Sequence, residues 1–460
     1  MSANTASAAA RLTAPRPSMP GRKAIVVGAG FAGLAAAMRL RACNFDVTVL
    51  EREAAPGGRA RSLALAGVEI DPCATLLFTS DRALISLLEA LGQPDELEAW
   101  PERAFQRADV DGMLHPLSTA RPSAGWPAAG VRWRDALRSV RLDRLSARYA
   151  KRLDRTAPEN ACVLDDRSAA EWARLYFGES VLSAWVAPWL AASTLGDENE
   201  ASRLLFLLHY AAARNASPAS LRSGPGALAE ALARRVPTRL NVRVESVERA
   251  PGGGFELLAC EAGRELRLAT DAVVLAVPPA AALAAGSAVL TTAEKDHLAS
   301  VRLRPALSAA FVTRNGVGHP ARRIVTHGPG RALRTLQLQG GSMQPRVSGW
   351  LVAVASGAFA LESAQASDDV VLRRLTAEAE RLAGGALREI QAARVLRFGE
   401  GLPCFDVGHY RSLARLRRVE AAQLAAGRRL ALAGDHLLGP RLEDAIASGL
   451  RAADALVGAG

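Results

Sequence analysis

The stretch Lys23–Ser62, KAIVVGAGFAGLAAAMRLRACNFDVTVLEREAAPGGRARS, decides the fold. It opens with the apolar run Ala24–Val27, which reads as a strand buried on both faces. Gly28, Gly30 and Gly33 follow in G-x-G-x-x-G spacing, with Phe31 and Ala32 inside the turn. In that pattern the first glycine permits a sharp turn, the second admits a pyrophosphate close to the backbone, and the third lets a helix lie against the strand. Leu34–Leu40 is rich in strong helix formers, so a helix begins there with its first amides and its dipole facing the phosphates. A second strand, Val47–Leu50, ends at Glu51, 18 residues beyond Gly33, with Arg52 next to it. A carboxylate in that place takes the ribose hydroxyls of a dinucleotide. Strand, turn, helix, strand and acid in register spell a dinucleotide site, open at this point to nicotinamide or flavin.

Working outward, 460 residues with 49% hydrophobic content are enough for more than one domain. The net charge of +11 is carried almost entirely by arginine, since lysine occurs only at 23, 151 and 295. A basic chain can bind nucleic acid, an anionic membrane or an anionic substrate. Here the arginines are dispersed without zinc-finger spacing or an RNA-binding aromatic motif, so no specific nucleic-acid partner is expected. Cys43, Cys73, Cys162, Cys260 and Cys404 are scattered, with no C-x-x-C and no histidine at metal spacing. They read as reduced thiols of a cytoplasmic protein, and no metal is expected. Residues 1–20 carry no signal-peptide core and read as a disordered tail. The most apolar run, Val181–Leu195, is short and holds Pro188, so it reads as a buried helix lining a pocket rather than a membrane span.

The organisation expected is α/β: a discontinuous Rossmann-like dinucleotide-binding domain from 21–80, 215–290 and 425–460, an inserted helical subdomain over 81–214, and an α+β substrate domain over 291–424. Asp81–Gly92 reads as a capped helix with Asp81 as N-cap and Gly92 as stop, and 93–135 as irregular chain. Asp271–Val277 is a buried strand closed by Pro278-Pro279. The chain ends with a strand at Arg429–Ala433, a Gly434-Asp435 turn, and a helix from Leu442 to Val457 with apolar residues at i, i+3, i+4 and i+7.

Four segments together resemble the flavin-containing amine oxidase superfamily, nearest its protoporphyrinogen oxidase and phytoene- and squalene-type desaturase branches. They are the opening stretch with Pro56-Gly57-Gly58-Arg59, the strand ending Ala276-Val277-Pro278-Pro279, the stretch Gly401–His409, and Leu432–Pro440 continuing through Glu443, Ser448-Gly449 and Arg451–Ala453. The resemblance implies FAD as cofactor. It implies Glu51 on the adenosine ribose, the Gly28–Gly33 turn on the pyrophosphate, Gly57, Gly58 and Arg59 near the flavin, and the backbone of Val244 near the adenine. Gly434 and Asp435 would hold the ribityl–pyrophosphate region, and the helix starting at Leu442 would aim its N-terminus at the flavin, where a dipole favours negative charge.

The departures from that resemblance bear on the substrate. The place two before the glycine pair is Ala55, Arg304–Val312 has no lysine, and an arginine, Arg441, stands ahead of the last helix where amine oxidases carry an aromatic residue. A guanidinium repels a protonated amine in a desolvated pocket. The expected activity is therefore two-electron dehydrogenation of a hydrophobic or conjugated small molecule, by hydride transfer to flavin N5, with oxygen or a quinone as acceptor. A flavin amine or amino-acid oxidase and a non-catalytic FAD-binding scaffold are the alternatives. His436, His409 and Arg441 are the side chains with acid–base or substrate-anchoring chemistry; Arg441 reads equally as a carboxylate anchor and as a surface ion pair. Trp172, Trp185 and Trp189 read as core, with an apolar tunnel as the other option. Peripheral contact with the inner face of a membrane stays open, as do monomer and homodimer.

Overall fold

The computed structural model describes residues 21–458 apart from 74–75, 101–103, 120–128, 215, 315–322, 327, 329, 340–348 and 384–385. The tail expected over residues 1–20 lies outside the described residues.

Five short strands form a parallel sheet in the order Thr238–Arg239, Asp46–Leu50, Lys23–Val27, Ala272–Leu275, Leu430–Leu432. Every residue of the last two is buried, the pattern of strands covered on both faces. The helix Phe31–Ala42 lies against this sheet, and the closing helix Leu442–Gly458 packs across it. Their approach depends on Gly449: a Cβ there would meet Ala32 O at 1.9 Å. Arg39 and Asp454 tie the same two helices at 2.7 Å, so the chain's beginning and end fold as one body. Beside the sheet, Val242–Arg249, Phe255–Glu261 and Arg264–Thr270 form an antiparallel meander.

The largest sheet has seven strands in the order Ile390–Pro403, Leu303–Thr313, Gly349–Ala355, Leu333–Gln339, Arg323–Thr326, Phe105–Ala108, Leu114–Pro116. One face buries Leu307, Phe311, Leu336 and Leu351 against Val371, Leu375 and Ala379 of the helix Asp368–Ala383. The other carries Ala310, Val312, Val352 and Val354.

Two local expectations change. The segment read as irregular supplies strands: Phe105–Ala108 pairs in parallel with Arg323–Thr326 (Ile324↔Phe105) and Leu114–Pro116 adds the edge. Runs of four and three residues are too short for periodicity to mark, and their pairing partner lies far along the chain. The helix Arg82–Leu91 stops at Gly92, with φ +74°, as expected, but Asp81 does not cap it. The amides of Ala83 and Leu84 donate instead to the two oxygens of Glu443, at 2.9 and 2.8 Å.

The helical run Glu179–Thr194 is almost wholly buried and loosens to a π turn at Leu182–Val186. Pro188, which has no N–H to give, stands just after the turn. Trp172, Trp185 and Trp189 pack around Phe206, with ring centroids 5.6, 5.5 and 5.2 Å away, and take the core role.

Candidate cofactor and substrate site

A cavity of about 880 Å³ lies between the parallel sheet, the closing helix and the edge of the seven-stranded sheet. Gly28, Gly30, Phe31, Ala32, Glu51, Arg52, Gly57, Gly58, Arg59, Val244, Gly434, Asp435 and Leu442 all line it. Gly33 does not: its Cβ position is 1.9 Å from Gly28 O, so it serves the packing of turn on helix. Gly28 has φ +102° and a Cβ there would meet Ala276 O at 2.5 Å, whereas a Cβ at Gly30 would meet nothing within 4 Å. One glycine makes the turn and the other keeps space open above it.

The Glu51 carboxylate is fixed by backbone, accepting from Ala29 N at 2.7 Å and Glu53 N at 2.9 Å. Each oxygen keeps a lone pair for a further donor such as a ribose hydroxyl. Across the cavity Arg59 Nη2 donates to Asp435 Oδ1 at 2.7 Å, joining residues 376 positions apart. This pairing spares an anionic cofactor an isolated carboxylate, and Arg59 is held fully charged by Asp435 despite its burial. Ser448 Oγ accepts from Gly434 N at 3.0 Å and fixes the turn before Asp435. An open glycine cradle, a backbone-fixed acid and a neutralised aspartate fit a dinucleotide well.

The opposite end of the cavity is apolar. Ala192, Leu195, Ala306, Val354, Phe398 and Leu402 line it, together with the chain at Ser193, Thr194 and Ser308. Sequence reasoning touched the helix, through the apolar run with Pro188, and the stretches Arg304–Val312 and Gly401–His409 that hold Ala306, Ser308 and Leu402, but not Val354 or Phe398, and nothing local marked these strands as one wall.

The three acid–base and anchoring candidates change role. Arg441 lines the cavity but is buried and spent on Asp81 (Nη2–Oδ2 2.7 Å, Nη1–Oδ1 3.3 Å), donates to Leu76 O at 3.1 Å, and lies 4.7 Å over the Phe78 ring. It is no surface pair, because a buried cation takes the nearest buried acid, and its buried Nε keeps no hydrogen-bond partner among the described residues. Arg155 completes the cluster, bonding Asp81 at 3.2 Å and Asp444 at 2.6 Å. Glu443 beside it is pushed above the ordinary carboxylate range by burial and by Asp81. His409 lies off the cavity, its ring 4.5 Å from Phe405 and 5.4 Å from His297. Burial lowers His409 to about 3, His297 to about 2 and His436 to about 4. All three are held neutral at pH 7, so His436, which does line the cavity, carries no imidazolium charge there. Cys73, also on the wall, is pushed up to about 12 by burial and stays a thiol.

A family model described as flavin containing amine oxidoreductase matches residues 31–457. The chain belongs to that family. Its cofactor is FAD and its fold is the FAD-binding fold of the family's oxidoreductases. Among curated relatives, this flavin oxidoreductase is 37% identical to hydroxyneurosporene desaturase of Cereibacter sphaeroides over 139 residues, 29% of this chain and 28% of that protein. It is 50% identical to phytoene dehydrogenase of Streptomyces griseus over 126 residues, 26% of this chain and 24% of that one. The matched segments thus span about a quarter of those relatives' length. Solved structures match nearly end to end: a protein assigned as a protoporphyrinogen oxidase from Exiguobacterium sp. 255-15 (TM-score 0.72, 19% identity, 96% of this chain and 99% of that one) and putrescine oxidase bound to putrescine (0.72, 19%, 95% and 99%). At such identity these likenesses speak for the fold alone. Among the described residues no helix is long and apolar enough to cross a membrane.

Proposed function

We propose that this flavin oxidoreductase removes two electrons from an apolar or conjugated small molecule, in the manner of a desaturase or protoporphyrinogen oxidase. The observation that carries the reading is one cavity with a polar cradle at one end and an apolar wall at the other. When bound, FAD supplies the two-electron acceptor, taking hydride at N5. On this reading Glu51 holds the adenosine ribose, the Gly28–Phe31 turn and the helix beginning at Phe31 hold the pyrophosphate, and the backbone of Val244 lies by the adenine. Arg59, Gly57, Gly58, Gly434 and Asp435 hold the flavin half, with the N-terminus of the closing helix at Leu442 against the ring. Residues 21–80, 215–290 and 425–460 would then work as the cofactor part, and 81–214 with 291–424 as the substrate part.

The chain's own task at the substrate end is to position the carbon that gives up hydride and to exclude water. Arg441, paired with Asp81, and His436, lowered to about 4 by burial, are both poor bases for the proton lost from the neighbouring atom. Oxygen or a quinone would reoxidise the flavin.

Peripheral attachment to an anionic membrane belongs to the same proposal. Its support is the helix pair Trp133–Arg138 and Val140–Tyr149, where Trp133 and Leu137 stand exposed among Arg132, Arg134, Arg138 and Arg141. Co-sedimentation with vesicles containing anionic lipid tests it; no binding at low salt rejects it.

The deciding experiment begins with the visible spectrum of the purified protein, where oxidised-flavin bands are expected and Glu51→Ala should lower flavin content at least several-fold. Anaerobic bleaching follows. Porphyrinogens or polyenes should bleach the flavin; rapid bleaching by simple primary amines alone would overturn the reading.

A further inference from the structure

The helix Ala187–Thr194 ends on the cavity wall at Leu195, whose φ of 54° lies in the left-handed region. Few bulky residues accept that conformation, and such strain gathers where a segment has work to do. From Leu195 the polar segment Gly196-Asp197-Glu198-Asn199-Glu200 leads to the helix Arg203–Ala213. A second cavity, of only about 40 Å³, is lined by Leu195, Gly196 and Asp197 on one side and by Arg304, Phe405 and Asp406 on the other. Thr194, Leu195, Ala306, Val354, Leu402 and Pro440 border both cavities. The small one therefore continues the apolar end of the large one, in a space that holds water and no organic substrate.

Arginines from the seven-stranded sheet and its approach strap this segment down. Arg334 Nη2 donates to Gly196 O and to Glu198 Oε2, both at 2.9 Å, in a nearly buried pair. Further along the fastening is exposed: Arg302 holds Glu200 at 2.5 Å and both oxygens of Asp406 at 2.9 Å, and Arg304 also pairs with Glu200. The Arg302 side chain is 54% exposed and that of Glu200 43%. Beyond it, Ser202 N donates to Phe405 O at 2.7 Å, a fixed point. The segment is thus held by buried contacts at Glu198, where Ala170 N also donates to Glu198 O at 2.8 Å, and at Ala201 and Ser202, while the Glu200 side chain is held by solvent-screened ion pairs beside the small cavity.

We propose that Leu195–Glu200 is the door through which an apolar substrate reaches the cavity, with Glu200 as its latch and Leu195 as the residue that sets what passes. The inference rests on the cofactor reading above: FAD fills the polar end, and the substrate reaches the other end from outside. Opening breaks the Glu200 ion pairs first and then the Arg334 bonds to Gly196 O and Glu198, and lets Leu195 leave its strained conformation. The Leu195 side chain, on the border of both cavities, then decides how bulky a molecule passes.

The test uses the flavin-loaded protein, with acrylamide as a neutral quencher of flavin fluorescence and deuterium uptake by the amides of residues 196–202. Glu200→Gln removes the latch charge and keeps the shape. It should raise the quenching constant about threefold and speed exchange about tenfold, with the flavin spectrum unchanged. Leu195→Ala should raise quenching as well, since it clears the border between the cavities. Glu265→Gln, which touches only the exposed Arg267 pair on the meander, should change neither quantity. Unchanged quenching in both door variants would overturn the proposal and send the route elsewhere, such as past Phe398–Glu400. Faster exchange without greater quenching would overturn it too, since the segment would open onto nothing. Absence of flavin in the unsubstituted protein fails the cofactor reading and this inference together, and is seen before any variant is made.

Discussion

Two clusters of arginine and carboxylate bracket the cavity, and they are built alike but placed differently. Around Arg441 the partners are Asp81, Arg155, Asp444 and Glu443, with Asp81 and Arg441 side chains 0% and 3% exposed. Around Glu200 the partners are Arg302, Arg304 and Asp406, all reached by solvent. In the first, water cannot replace a lost partner, so removing one charge strands another in a low-dielectric interior. In the second, water and salt take over whatever contact is broken. The same chemistry makes a rivet in one place and a latch in the other, and burial alone decides which.

The largest effect expected sharpens the buried side of this contrast by acid. His297, His409 and His436 are held neutral in the folded protein far below the ordinary histidine value of 6.5. The unfolded chain binds their protons first, so stability is full above about pH 6.5 and falls as pH drops towards 4, where His436 begins to titrate in the folded state. With His209, also lowered by burial, four protons are taken up on unfolding and one is released by Glu443, which burial raises to about 7, a net slope of up to about 4 kcal/mol per pH unit in that window. Urea midpoints measured from pH 7 to pH 4.5 check it, and His409→Asn should flatten the slope by about a third. A flat profile would mean that the three rings are wet.

Next, Asp81→Ala should cost about 3–5 kcal/mol, because it leaves two buried guanidiniums short of an acid. Chemical denaturation reads this, and a loss under about 1 kcal/mol would show the cluster to be no different from the exposed one. Smallest is Arg302→Ala, expected to cost about 1 kcal/mol or less in 0.15 M salt, and to matter less as salt rises. A loss as large as that of Asp81→Ala would break the comparison from the other side.

Legibility followed the range of the interactions involved. The turn at Gly28–Gly33 and the acid at Glu51 are written within a few residues of themselves, and the two strands that flank them pair side by side in parallel. Asp81 was legible as a helix-start residue but not as an ion-pair partner, because the arginine that claims it stands 360 positions away. Glu443 took over its capping work from a similar distance, since the closing helix lies across the helix Arg82–Leu91. Arg441 stands out in the sequence only against the pattern that the resemblance implies; its engagement by Asp81 was beyond any local reading. The apolar end of the cavity was least legible, because three strands of the seven-stranded sheet each contribute a few residues with no pattern of their own.

By itself the sequence determined a dinucleotide-binding half and its family, because glycine spacing, strand periodicity and a carboxylate at fixed distance are local consequences of backbone geometry. The tertiary structure alone decided which charges are buried together, which histidines lose their protons, and where the cavity narrows under Leu195. Those outcomes depend on desolvation, and desolvation exists only once distant segments have closed over the same space.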